Sequence, residues 1–143
     1  MVIGKKLLIL EDDLKTLSKI LKRLSVLEED KEYDFCTIVM SDYTQVEEYI
    51  NSNKKADFDI ILLDRDCKLG GSFHVLDIER FGPEKIIAIS TVPEYNEQAR
   101  QRGVKRVVLK DYQHLDEFAD KVVNEIEQLI DGKRLNKLAR FFN

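Results

Sequence analysis

Apolar residues occur along this chain in two rhythms. Four short runs show no polar alternation: Leu7 to Leu10, Ile60 to Leu63, Ile86 to Ile89, and Val107 to Leu109. Such runs fit strands of a parallel sheet that is covered on both faces. A fifth stretch, Phe35-Cys36-Thr37-Ile38-Val39-Met40, is rich in β-branched residues and predicts another strand. Between the runs the spacing becomes helical. Leu14, Leu17, Ile20, Leu21 and Leu24 mark one helix, and Leu115, Phe118, Val122, Ile126, Leu129 and Ile130 mark another. Val46, Tyr49 and Ile50 mark a third, while Phe73 to Phe81 and Glu94 to Arg102 carry weaker helical stripes. The acidic segment from Leu27 to Asp34 is expected to be a surface loop.

Strand and helix therefore alternate five times. Parallel neighbours need a crossover, and crossovers are right-handed, so the alternation predicts an open five-stranded parallel α/β sheet with helices on both faces. In such sheets functional residues gather at the carboxyl ends of the strands. Here the first strand ends in Glu11-Asp12-Asp13, the third in Asp64-Arg65-Asp66, the fourth in Ser90-Thr91 and the fifth in Lys110-Asp111. One rim thus carries carboxylates, a hydroxyl and a lysine.

Composition narrows the picture. With 143 residues, 43% of them hydrophobic, and only 6 Gly and 2 Pro, the chain suits one globular domain. A net charge of −4 argues against a general phosphate-backbone binder, so no direct nucleic-acid partner is expected. Cys36 and Cys67 form no CxxC pair, which suits a reducing compartment, and cytoplasm is the expected location. The apolar stretch at Leu7 to Leu10 is too short for a signal peptide, and no run approaches the roughly 18 apolar residues of a membrane span.

Each rim residue alone has an ordinary explanation: Asp12 or Asp13 as a helix N-cap, Ser90 and Thr91 as turn residues, Lys110 as a solvated charge. Their conjunction at one sheet edge is different. Carboxylates from two strand ends repel unless a cation neutralises them, and hard oxygen donors with room for water select Mg²⁺. Asp64 could then act as nucleophile toward a phosphoryl donor, with Lys110 and the Ser90 hydroxyl holding the other phosphoryl oxygens.

The ordered set of hydrophobic run with Glu11-Asp12, run with Asp64, run with Ser90, and run with Lys110 followed by Tyr112 resembles the receiver domain of two-component response regulators over about residues 5 to 131. The resemblance implies a doubly wound, flavodoxin-like sheet of order 2-1-3-4-5. It implies that Asp64 accepts a phosphoryl group from a histidine kinase or phosphotransfer protein, without the chain being an enzyme in the usual sense. Glu11, Asp12 and Asp64 would hold Mg²⁺, Asp66 would lend its backbone carbonyl, and Ser90 and Lys110 would engage the phosphoryl group. A two-state switch signalling to a downstream protein by contact would follow.

Some positions depart from the family pattern. Asp111 stands where a proline usually follows the lysine, so a trans bond is expected after Lys110, and Val107 replaces the usual aromatic switch residue. The stretch between Asp64 and Ser90 is short, which predicts a trimmed third helix, and Gly70-Gly71 would supply the turn before it. Two other readings stand beside this one. A degenerate receiver would bind partners without taking phosphate. A haloacid-dehalogenase-type phosphohydrolase would use Asp64 and Asp66 as nucleophile and acid, although that motif should lie on a first strand. His74 and His114 lack partner ligands at diagnostic spacing and suggest no site. Residues 132 to 143 form a basic segment with Leu135, Leu138, Ala139 and Phe142 at helical spacing. That segment either packs on its own domain or acts as a docking or homodimerisation helix.

Overall fold

The computed structural model describes residues 2–142, with side chains described from 2 to 132. Five parallel strands, β1 (Ile3–Leu10), β2 (Tyr33–Met40), β3 (Ile60–Leu63), β4 (Ile86–Ala88) and β5 (Arg106–Val107), form one sheet in the order β2-β1-β3-β4-β5. The expected strand order and doubly wound class are thus both observed. Alternation along each central strand divides the core between two faces. Leu7, Ile9, Ile60 and Leu62 face α1 (Leu14–Asp30) and α5 (Leu115–Phe142), burying Leu17, Ile20, Leu24, Phe118, Val122 and Ile126. Leu8, Leu10, Ile61 and Leu63 face the opposite layer, where Phe73, Leu76, Ile78, Phe81 and Ala99 are buried.

That second layer is thinner. α2 (Tyr43–Gln45) is a single turn that widens into a π-helix at Val46–Asn51, with Val46 and Ile50 buried against the sheet. The guanidinium of Arg80 closes this helix by donating to the carbonyls of Ile50 at 3.2 Å, Asn51 at 2.8 Å, Asn53 at 2.5 Å and Ala56 at 3.3 Å. It adds a donor to carbonyls at a helix end, where Ile50 O also accepts Asn53 N–H and Asn53 O accepts Ala56 N–H. α3 (Ile78–Phe81) has only four residues, preceded by a 3-10 turn at Phe73–Val75. The weak stripe from Phe73 to Phe81 is therefore two pieces. Leu76 is extended at ψ 134°, and Asp77 caps the second piece by accepting from the Arg80 amide at 3.3 Å. α4 (Pro93–Gln101) completes the layer.

The segment from Leu27 to Asp34 is not a loop. α1 continues through Asp30, because Leu27 prolongs the buried stripe of Leu17, Ile20 and Leu24, and β2 already begins at Tyr33. The Tyr33 hydroxyl meets Asp131 at 2.9 Å, and Glu28 accepts the Phe35 amide at 2.8 Å. Only Lys31 and Glu32 connect helix to strand. The fifth strand is also shorter than the run Val107 to Leu109 predicts. Leu109 is half exposed, and the paired residues are Arg106 and Val107.

Candidate functional site

Backbone bonds at the carboxyl edge of the sheet continue one to three residues past the strand ends, and they place the rim residues. Glu11 N–H donates to Met40 O at 3.2 Å, Asp64 N–H to Leu10 O at 3.1 Å, and Lys110 N–H to Ser90 O at 3.0 Å. The side chains of Glu11, Asp64, Ser90 and Lys110 consequently rise from a rigid frame, and all four residues are buried.

Carboxylate oxygens of Glu11, Asp12 and Asp64 lie within 4.8 Å of one another. The Lys110 ammonium enters this group, donating to Glu11 and, at 3.1 Å, to Asp64. Two backbone amides also point in: Arg65 N–H donates to Asp64 Oδ1 at 2.8 Å, and Lys68 N–H donates to Asp12. Burial raises the Glu11 carboxyl well above the usual range, and the hydrogen bond and charge of Asp64 add to the rise. For Lys110, burial pushes the ammonium down, but the Glu11 and Asp64 carboxylates more than reverse this and hold it protonated. Burial in a group of three carboxyls around one ammonium is what pushes the Glu11 carboxyl up, and a bound cation would take the place of its proton. This donor set of hard oxygens suits a divalent cation of the Mg²⁺ or Mn²⁺ type.

The remaining candidates divide. Asp13 caps α1, accepting from the Thr16 amide at 2.9 Å and its hydroxyl at 2.6 Å, which leaves Asp12 for the cluster. Asp66 stands apart from the carboxylate group, its side chain 56% exposed and paired with Arg65 at 2.7 Å. Its backbone forms an isolated bridge with Ser72 across the turn at Gly70 and Gly71, both at positive φ as their position demanded. Ser90 is buried at the rim, with its hydroxyl accepting from Val92 N–H at 3.2 Å. Asp111 is engaged locally, accepting from Gln113 N–H at 2.9 Å and lying 2.8 Å from the His114 ring. No cis peptide bond occurs among the described residues, in line with the trans bond expected after Lys110.

Two residues at the rim escaped the sequence reading. Asn96 in α4 is 3% exposed and binds the backbone of Ser90 at both its N–H and its carbonyl. Tyr95 beside it lies under the Arg65 guanidinium, 3.9 Å from ring centroid to Cζ. The available signal was a short polar residue inside the weak stripe from Glu94 to Arg102, in a segment opened by Pro93.

No protein-family model matches the chain, and no curated protein sequence does. Solved structures do. The phosphorylated cyanobacterial phytochrome response regulator RcpA is similar at 18% identity with a TM-score of 0.63, covering 87% of this chain and 92% of that one. The Mn(2+)-bound form of response regulator Rcp1 is similar at 18% identity and TM-score 0.65, with the same coverages of 87% and 92%. A response-regulator receiver domain from Rhodospirillum rubrum is 19% identical with TM-score 0.59, covering 82% of this chain and 87% of that one. A five-stranded sheet of order 2-1-3-4-5, carrying its buried acidic cluster at the carboxyl rim, gives this chain the fold of a response-regulator receiver domain.

Proposed function

We propose that the chain is a phosphoacceptor receiver, in which Asp64 takes a phosphoryl group from the phosphohistidine of a histidine kinase or phosphotransfer protein. The observation that carries this reading is the cluster of Glu11, Asp12 and Asp64 with the Lys110 ammonium between two of its members. An Asp64 carboxylate oxygen attacks phosphorus, forming an O–P bond as the N–P bond to the imidazole breaks, and the departing imidazole nitrogen becomes protonated. Lys110, already 3.1 Å from Asp64, pairs with a phosphoryl oxygen as negative charge gathers there. Ser90 turns its hydroxyl from Val92 toward another oxygen.

Glu11, Asp12 and Asp64 would hold Mg²⁺, with the backbone carbonyl of Asp66 as a further oxygen donor. When bound, this ion supplies neutralisation of the phosphoryl charge. Water attack on the acyl phosphate returns the carboxylate and releases phosphate, so that the chain's own catalysis comprises phosphotransfer and dephosphorylation. Output passes by protein contact. Residues 1 to 131 constitute the signalling unit, and 132 to 143 a basic extension whose side chains from 133 onward lie outside the described residues. Beryllofluoride, a phosphoryl mimic, tests the reading by fluorine NMR. With Mg²⁺ a bound-fluoride signal is expected from the chain and none from Asp64→Asn. A chain that gives no such signal, yet binds partners, is a degenerate receiver.

A further inference from the structure

Asn96 is the only buried polar residue of α4 among the described residues, and both ends of its amide are spent on one residue of another element. Its Oδ1 accepts from Ser90 N–H at 3.0 Å, and its Nδ2 donates to Ser90 O at 3.2 Å. The same Ser90 carbonyl accepts the Lys110 amide at 3.0 Å. One side chain thereby joins the end of β4, the end of β5 and the first turns of α4 through a residue that is itself 4% exposed. The Ser90 hydroxyl is free of this clamp. It is parked on Val92 N–H at 3.2 Å, so it can rotate while its backbone stays fixed.

We propose that Asn96 is a positioning residue: its amide fixes the Ser90 backbone so that rotation of one side chain brings the hydroxyl to a phosphoryl group on Asp64. Both hydrogen bonds lie in a site closed to water, where leaving either unmade is costly. This role rests on the phosphoacceptor reading, and it assigns Asn96 no contact with the phosphoryl group.

The test is a double-mutant cycle on the full chain, reading by intact mass the rate of adduct formation with acetyl phosphate and Mg²⁺. Asn96→Ala is expected to slow the reaction by about tenfold, the effect of losing roughly 1.4 kcal/mol at the transition state. In a Ser90→Ala background the same substitution is expected to change the rate by less than about twofold, because no hydroxyl remains to be placed. Mg²⁺ affinity is expected to be unaltered. Asn96→Asp keeps the acceptor and loses the donor, so it replaces Asn96→Ala in the cycle if the latter does not fold, with a smaller loss that again vanishes in Ser90→Ala. A wild-type rate in either variant overturns the proposal, as does an equal loss with and without the Ser90 hydroxyl. Failure of the unmodified chain to form any adduct overturns the phosphoacceptor reading itself, and is read before any variant is compared.

Discussion

Glu11 and Asp64 share one ammonium at Lys110, deep enough that neither Glu11 nor Lys110 has appreciable contact with water. Lys110→Met would leave both carboxylates without their cation, and a buried pair broken on one side costs about 3–5 kcal/mol. Urea unfolding should show that loss, and excess Mg²⁺ should recover part of it. Recovery by Mg²⁺ of nothing at all would place the metal elsewhere. The raised Glu11 carboxyl sets a sign for metal binding. Burial, together with Asp64, makes the folded apo chain hold a proton on Glu11 to higher pH than an ordinary carboxyl, and a metal ligand must give that proton up. Mg²⁺ affinity should therefore rise with pH, with proton release on binding. Calorimetry in two buffers of different ionisation enthalpy checks this, and equal heats in both would contradict it. The place of Glu11, Asp64, Ser90 and Lys110 at the rim was legible because each follows directly on an apolar run, with Asp12 one residue later, and run ends fix the rim. Asn96 was not, since a lone asparagine in a weak helical stripe reads as a surface residue until its burial is known.

At the scale of elements, the legible pieces were those whose burial is one-sided and long. The stripe of Leu17, Ile20, Leu24 and Leu27 packs α1 against the sheet beside α5, and Leu24→Ala should cost about 2–4 kcal/mol in urea unfolding. The surface pairs between the same two helices, Lys19 with Asp116 at 2.8 Å and Arg23 with Asp120 at 2.7 Å, leave their carboxylates about two-thirds exposed and contribute little beside that packing. The turn that delivers Lys68 to Asp12 depends on Gly71, at φ 83°, where a Cβ would run into the Tyr43 ring. Gly71→Ala should destabilise the chain by about 1–3 kcal/mol, and weaken Mg²⁺ binding more than Leu24→Ala does. The elements that sequence rhythm misjudged are set by tertiary partners. α1 runs on past its expected end because Leu27 and Tyr33 find the core, and the segment from Phe73 to Phe81 breaks because Asp77 caps a new helix there.

For the whole molecule, two apolar layers enclose a sheet whose carboxyl edge gathers residues from four strand ends. Among the described residues no helix is long and apolar enough to cross a membrane. The parallel α/β class was open to prediction because run, helix and run repeat without interruption, and the strand order followed only from the family resemblance, whereas the contacts between Asn96 and Ser90 follow no linear pattern. The most direct test of the account is intact mass after incubation with acetyl phosphate and Mg²⁺, a readout that suits a chain with no Trp. The account predicts a single phosphoryl adduct that disappears in Asp64→Asn and when Mg²⁺ is withheld. An unmodified mass, under conditions where a known receiver is phosphorylated, would contradict it.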